Sequence, residues 1–381
     1  MAKASELFIK KELLNRRDFV KGLLGGCFML MTGCSHEDVL GQFQSNSDSS
    51  PDVHFGTGED GDITVYSGTV DIRAIYEDDV VMGVITGRGT DKGLNRKGID
   101  ITDYYDPQNG RYINAKNFTI QSSGTLTAAN PYGDGVDGKK GIIWIACTET
   151  FENQGLIDVK GKGGTGGAGG TGSGFGNTGN GSGGGQGGHD GSLFGGGIGG
   201  SIYGDSVLSI NNWKNLYGSG GGGGGCGMSN WGGTGGGGGG YAENGGDRCE
   251  DTSEGSNETN GSMGGNGGGA IRLYVARLVT TTGYISADGD DGSPADSGYN
   301  NTGGAGGGGS GGSIYIETLS NAEIGSGIIS AKGGLGGERS GYANGGTGGD
   351  GSIGRIAVKS PDIIGTTIPA YYDIEKGAYS S

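Results

Sequence analysis

Short runs of alternating apolar and polar residues recur along the chain, with glycine tracts between them. Ile143–Ile145, Ile271–Leu273 and Ile314–Ile316 each place an apolar residue at every second position. Successive side chains of a β-strand point to opposite faces, so this alternation predicts strands with one buried face. The sequence contains no long helical pattern, and the fold is therefore predicted to be all-β.

The alternating runs belong to a longer unit that is repeated. Each run is followed by a polar turn, by the pattern Gly-x-Ile/Leu-x-Ala/Val, and by a glycine tract. Three copies of the pattern are Gly155–Gly161, Gly283–Gly289 and Gly327–Gly333; residues 113–129 form a related copy, and Ile353–Val358 is a last partial copy. Because one such unit cannot bury its own apolar face, the repeats predict short strands that stack into a β-solenoid.

The glycine tracts need a structure of their own, since about half of the 97 glycines lie in residues 161–269. Gly-Gly-x triplets, as in Gly163–Gly170, predict helical insertions of the polyproline II type with three residues per turn (polyglycine II). A flexible linker is the alternative. Aromatic residues within the tracts favour the ordered form and are candidate contacts for a surface ligand. They are Trp213, Tyr217, Trp231 and Tyr241.

The first thirty residues resemble a twin-arginine export signal. Arg16, Arg17, Phe19 and Lys21 match the pattern Ser/Thr-Arg-Arg-x-Phe-Leu-Lys. They precede an apolar stretch, Gly22–Met31, which is too short to span a bilayer as a stable helix. The twin-arginine translocase is therefore a predicted partner.

The apolar stretch runs into Met31–Cys34, which resembles a lipobox. In that motif the cysteine is lipidated before cleavage, so Cys34 is the predicted lipidation site and lipoprotein-processing enzymes are predicted partners. The acyl chains would tie the protein to a membrane. Ser35 follows the cysteine, where Asp would signal inner-membrane retention, and this favours the outer membrane or cell surface. An uncleaved membrane anchor is the alternative.

These features divide the chain into five parts: a signal peptide at 1–33, a flexible tether at 34–54, an N-terminal β-repeat region at 55–160, the glycine-rich insertion region at 161–269, and C-terminal β-repeats with glycine tracts at 270–381. The formal net charge is −16. The signal carries six Lys/Arg and three Asp/Glu, so its removal makes the mature chain more acidic still. An acidic surface repels nucleic acid, which is therefore an excluded partner.

Four segments together resemble a family of glycine-rich bacterial surface and phage tail-fibre-like proteins. They are Phe55–Val65, Phe118–Leu126, Gly155–Gly164, and Gly354–Val358 with the Gly-Thr-Thr that follows. A weaker likeness, in the tracts only, exists to the glycine-rich extracellular domain of anaplastic lymphoma kinase-type receptors. The resemblance implies β-solenoid elements beside glycine-rich helices, in roles of display, adhesion or receptor contact. It supplies no catalytic residues.

A catalytic constellation is not apparent, and the chain is predicted not to be an enzyme. The three histidines have no cysteine at metal-binding spacing. The alternative is a polysaccharide-acting enzyme on a parallel β-helix that uses Asp288, Asp290 and Asp291.

Cysteine and calcium chemistry give weaker signals. Cys226 and Cys249 predict a disulfide in an oxidising envelope, with two free thiols as the alternative. Cys147, within an alternating run, is expected to be a small packing residue. No cofactor is required, although Gly345–Asp350 resembles part of a calcium-binding nonapeptide and Asp288–Gly292 offers carboxylates in a turn. A solvated turn is the favoured interpretation of both, because calcium needs six to eight arranged oxygens.

Overall fold

A computed structural model describes residues 55–72 except 57 and 59, the backbone of 85–86, residues 113–128, 141–169, 261–295, 304–338 and 346–380, and single residues 177, 179 and 222. All of them belong to a compact unit, Asp52–Ser381. Strands account for nearly all the regular structure in these residues, which confirms the all-β prediction.

The strands form two sheets. The first sheet contains β1 Asp62–Asp71, β2 Ile85–Thr86, β4 Asn117–Thr127, β6 Thr150–Asn153, β7 Leu156–Asp158, β9 Leu278–Thr281, β10 Tyr284–Ser286, β12 Asn321–Ser330 and β14 Asp362–Ile368. The second sheet contains β3 Ile113–Ala115, β5 Ile142–Cys147, β8 Ala270–Val275, β11 Ser313–Thr318, β13 Arg355–Lys359, β15 Tyr372–Asp373 and β16 Ala378–Tyr379.

Most pairings are parallel and follow chain order from one repeat to the next. In the second sheet β3, β5, β8, β11, β13 and β15 lie side by side in that order. In the first sheet β4 pairs with β6 and β7, these pair with β9 and β10, and both of those pair with β12. From β3 to β14, each passage of the chain therefore adds one strand to the second sheet and one or two to the first.

The register aligns the repeats as their sequences do. Ile143 pairs with Ile271, which pairs with Ile314, and Ile314 pairs with Ile356. All four side chains are buried. In the first sheet a second row of four residues is likewise paired in register from repeat to repeat, and all four side chains are buried. They are Leu126, Ile157, Ile285 and Ile329.

One apolar cluster joins the inward faces of both sheets. Within it Phe118 stacks on Phe151, with ring centroids 5.9 Å apart, because the two residues are paired across β4 and β6. Cys147 is a buried free thiol in this cluster, as predicted for a packing residue. Burial raises the pKa of its thiol well above the usual range. Each fully buried large apolar side chain contributes about 1.5–3 kcal/mol to folding.

The last repeat is longer than its sequence suggests. The partial copy at Ile353–Val358 contributes β13, but the chain then turns and adds β14 to the first sheet. β14 has the sequence Asp-Ile-Ile-Gly-Thr-Thr-Ile, which lacks the strict alternation of the other copies. Sequence reasoning missed the strand for that reason.

Candidate functional site

Glycine segments connect strands of the first sheet to strands of the second, and these segments are hydrogen-bonded to one another at every third residue. The backbone N–H groups of Ser262, Gly265 and Gly268 donate to the carbonyls of Gly304, Gly307 and Ser310, at 3.0, 2.8 and 2.8 Å. In the next passage Ala305, Gly308 and Gly311 donate to Gly346, Gly349 and Ser352, at 3.0, 2.9 and 2.9 Å. The rising numbers on both sides mean that these segments run parallel.

A second set of bonds links segments that run in opposite directions. Gly306, Gly309 and Gly312 donate to the carbonyls of Ser293, Asp290 and Ala287, so one number rises while the other falls. The carbonyls of Gly306 and Gly309 in turn accept bonds from the N–H groups of Gly337 and Gly334, each at 2.8 Å. Each central segment is thus bonded on several sides. We call these mutually bonded segments the glycine layer: residues 161–169, 261–269, 287–295, 304–312, 331–338 and 346–354.

The close approach of these segments explains the need for glycine. A Cβ atom added at Gly309 would overlap the carbonyl oxygen of Asn266, and one at Gly306 would overlap that of Met263. In both cases the obstacle is backbone, which cannot rotate away as a side chain would. Only a residue without a side chain fits at these positions.

Gly222, near the middle of the insertion region 161–269, also bonds to the layer. The N–H of Gly222 donates to the carbonyl of Gly265, and its own carbonyl accepts from Gly167, both at 2.8 Å. Gly222 therefore bridges the start and the end of the insertion region.

Acidic side chains bond the outward-facing N–H groups of the layer. Asp288 Oδ1 accepts from the N–H of Lys332 and from Ser330 Oγ, both at 2.6 Å. Three residues further along each segment, Asp291 Oδ1 accepts from the N–H of Leu335 at 2.7 Å. These two carboxylates thus follow the same spacing of three as the backbone bonds.

The remaining acidic candidates are bonded in a similar way. Asp290 Oδ2 accepts from Asn266 Nδ2 at 3.0 Å, and its carboxylate lies against Gly161, whose φ of +61° favours glycine. Asp350 Oδ1, in the nonapeptide-like segment, accepts from the N–H of Gly336 at 2.7 Å. In the part of the chain that is described, no three His, Cys, Asp or Glu side chains are grouped as a metal site would require.

The face of the second sheet opposite the Ile143 row carries four buried aromatic or charged side chains that sequence reasoning missed. We call Trp144, Arg272, Tyr274 and Tyr315 the ladder. The Arg272 guanidinium lies 5.1 Å from the centre of the Trp144 ring, and the rings of Tyr274 and Tyr315 are 5.6 Å apart. All four residues are at most 4% exposed. They alternate along the aligned strands with the buried aliphatic residues of the Ile143 row and its neighbours, and comparing those alternate positions across the copies would have revealed the ladder.

An ion pair between Lys359 and Glu317 lies next to this ladder. Tyr315 Oη donates to Glu317 Oε2, and Lys359 Nζ contacts Glu317 Oε1, both at 2.7 Å. Burial, followed by the negative charge of Glu317, raises the pKa of Tyr315 well above its usual range. Burial also raises the pKa of Tyr274 to about 12, although Arg272 acts in the opposite direction.

The outer face of the first sheet is accessible. Tyr284, on β10, is 63% exposed, and Tyr66, on β1, is 44% exposed. Ile364 and Ile368 are exposed on its last strand, β14. This face and the rim of the glycine layer are therefore two described surfaces that offer side chains to a partner.

Several predicted functional residues lie outside the described residues. They are the export-signal residues Arg16, Arg17, Phe19 and Lys21, the lipidation site Cys34, the cysteine pair Cys226 and Cys249, and the aromatic residues Trp213, Tyr217, Trp231 and Tyr241. Among the described residues, no helix is long and apolar enough to cross a membrane. No protein-family model, curated protein or solved structure significantly matches this chain.

Proposed function

We propose that this chain is a lipid-anchored protein of the cell envelope or cell surface, with a structural, adhesive or binding-display role and no catalysis. The folded part is a β-solenoid that carries a polyglycine II layer. The observation that carries the proposal is the hydrogen bonding at every third residue of the glycine layer. Such regular bonds favour tracts that are an ordered part of the fold.

The solenoid is supported by the way in which repeats follow one another. Parallel partners in both sheets come from successive passages of the chain, and equivalent residues such as Ile143, Ile271 and Ile314 are in register. Stacked repeats of this kind gain stability from contacts with their neighbours along one axis. Such a body gives long, regular faces, which suits display and adhesion.

Polyglycine II is supported by the geometry that a three-residue turn imposes. A helix of the polyproline II type has three residues per turn and no internal hydrogen bonds, so its N–H groups point to neighbours at intervals of three. Ser262, Gly265 and Gly268 donate at that interval to one neighbouring segment. Gly306, Gly309 and Gly312 do the same to an antiparallel neighbour.

Hydrogen exchange measured by mass spectrometry tests this architecture on the whole chain. Slow exchange, comparable with that in the strands β8 and β11, is expected for six amides of 304–312 because their N–H groups are bonded inside the layer. They are those of Ala305, Gly306, Gly308, Gly309, Gly311 and Gly312. Exchange of this segment at the rate of an unstructured peptide would contradict an ordered layer.

A non-catalytic role is supported by the use of the acidic residues. The enzyme alternative depends on Asp288, Asp290 and Asp291, and each of these carboxylates already accepts a hydrogen bond from the protein itself. Carboxylates that work in pairs on a glycosidic bond need access to substrate on both sides of it.

Export and lipidation are supported by the N-terminal motifs, and they can be tested together in a bacterial host that has both pathways. Cys34→Ala in the full chain is expected to abolish incorporation of labelled palmitate and to leave the precursor uncleaved. Cys27→Ala, in the same apolar stretch, is the matched control and should be lipidated normally. Label that persists in the Cys34 variant would overturn the anchor.

The binding role has its own test. Intact cells that display the full chain are compared with cells that display Trp213→Ala and Trp231→Ala, in adhesion to host cells and to a glycan array. Loss of a contact that the parent makes supports a display surface in the glycine tracts. Unchanged adhesion by the double variant would exclude these residues as the contact.

A further inference from the structure

Two ends of the stacked sheets are closed by an antiparallel strand. At the start of the first sheet, β2 pairs antiparallel with β1, with Val65 opposite Ile85. At the end of the second sheet, β16 pairs antiparallel with β15, with Tyr372 opposite Tyr379. Antiparallel strands at these ends cover backbone groups that would otherwise recruit another chain.

The end of the first sheet at β14 lacks such a strand in the part of the chain that is described. Among the described strands β14 pairs only with β12, and none of them lies along its other edge. Its alternate residues are exposed, including Ile364 at 55% and Ile368 at 41%. Exposed edge strands are usually protected by lysine, proline or a bulge. β14 contains no lysine or proline, although Pro361 and Pro369 flank it, and Asp362 is its one charged residue. At the two register shifts of its pairing with β12 the extra residues lie in β12, so β14 itself is not bulged.

We propose that β14 is a self-association edge, which pairs antiparallel with β14 of a second copy around a two-fold axis at Thr366. The exposed positions Ile364, Thr366 and Ile368 read the same in both directions. Antiparallel pairing centred on Thr366 therefore sets Ile364 of each copy opposite Ile368 of the other, and the two Thr366 residues opposite each other.

The symmetry of this segment points to a second copy as the occupant. A two-fold contact uses the same surface on both chains, so a self-complementary strand is what it requires. Cross-strand pairs of β-branched residues and of threonines each stabilise antiparallel sheets. The contact closes on itself, because each β14 then has a neighbour on both edges. The first sheet would then end in an antiparallel strand at β14, as it does at β2 and as the second sheet does at β16.

Cysteine cross-linking tests the register directly. In antiparallel pairs the directly opposed Cα atoms lie about 4.5–5.5 Å apart, within the range that a disulfide spans. Thr366→Cys in the full chain should therefore give a covalent dimer on a non-reducing gel after mild oxidation of intact cells. The matched control is Thr282→Cys, an exposed threonine in the turn between β9 and β10.

A dimer band for Thr366→Cys at least about tenfold stronger than for Thr282→Cys supports the two-fold contact, since one register alone brings the two introduced thiols together. Equal bands would mean random collision and would overturn the proposal. Absence of the band from the Thr366 variant would overturn it as well, even if the chain associates through another surface.

A second measurement does not depend on introduced thiols. Sedimentation velocity of the detergent-solubilised full chain should show dimers that Ile364→Lys weakens by about tenfold or more in dissociation constant, because the introduced lysine of each copy then faces Ile368 of the other. Tyr284→Lys, an exposed apolar-to-charged change away from β14, should leave the dimer intact. A monomeric parent, or equal weakening by both variants, would overturn the proposal. Because lipidation enters neither readout, the proposed anchor and this contact can fail independently.

Discussion

Asn153 and Thr281 lie 128 residues apart in the chain, and their side chains form a buried hydrogen bond of 3.0 Å from Asn153 Nδ2 to Thr281 Oγ1. The same Asn153 amide donates to the carbonyl of Tyr284, and its Oδ1 accepts from the N–H of Gly155. The bond joins equivalent corners of two successive repeats. After the glycine-rich region 161–269 the chain therefore continues in the repeat that pairs directly with the one before it.

Asn153→Ala tests the importance of this corner. The change removes one acceptor and two donor bonds inside the protein, and buried groups left without partners cost about 1–3 kcal/mol. We expect the free energy of unfolding in urea to fall by that amount. Gln154→Ala changes the exposed neighbour, whose side chain bonds only to Glu152 in the described contacts, and should stay within about 0.5 kcal/mol of the parent. Equal losses would mean that the buried amide has no special role.

Gly309→Ala tests the packing of the glycine layer. The added methyl group would overlap the Asn266 carbonyl oxygen, and backbone must move to accommodate it. Overpacking of this kind typically costs about 1–3 kcal/mol. Thermal unfolding followed by circular dichroism should show a lower midpoint.

The control for this variant is Leu335→Ala, because Leu335 is 65% exposed in an equivalent segment. Its truncation should change stability by less than about 0.5 kcal/mol. A midpoint for Gly309→Ala equal to that of the parent would show that residues 304–312 do not pack closely.

The strands were predictable because their side chains carry a periodic signal. Alignment of Gly155–Gly161 with Gly283–Gly289 and Gly327–Gly333 already sets Ile157, Ile285 and Ile329 in one row, and the register confirms it. A period of two, repeated in several copies, specifies both the strand and the face that it buries.

The partners of the glycine segments were not predictable in the same way. Glycine has no side chain to mark an inward or outward face, so a sequence such as Gly304–Gly309 does not reveal which N–H group faces which neighbour. The role of Asp288 and Asp291 was hidden for the same reason. Their N–H partners, on Lys332 and Leu335, are backbone groups of another repeat, and every residue type except proline offers one.

Asp288→Ala tests the bonds that the carboxylates make at the rim of the layer. The variant leaves the N–H of Lys332 and the hydroxyl of Ser330 without this acceptor. Hydrogen bonds to a charged group contribute about 1.5–3 kcal/mol, and exposure places this pair at the lower end. We expect a measurable fall in unfolding free energy and faster amide exchange at Lys332. Glu323→Ala, an exposed carboxylate on β12, is the control and should alter neither quantity.

The buried phenol of Tyr274 should lower the free energy of unfolding in alkali. Burial raises its pKa to about 12 in the folded chain, against about 10 when unfolded. A group whose pKa is raised by folding contributes stability that is complete below the unfolded pKa and is lost as the pH rises through the folded one. The contribution is therefore present at pH 9 and is lost between pH 10 and 12, by up to about 3 kcal/mol for a pKa raised by about two units.

Tyr274→Phe keeps the ring that packs against Tyr315 but removes the ionising hydroxyl. The parent should therefore lose more unfolding free energy than this variant between pH 9 and pH 11.5, measured by urea denaturation at each pH. Tyr284→Phe is the control, since Tyr284 is mostly exposed, and it should follow the parent. If Tyr274→Phe loses as much stability as the parent over this range, the buried phenol of Tyr274 is not what makes the fold sensitive to alkali.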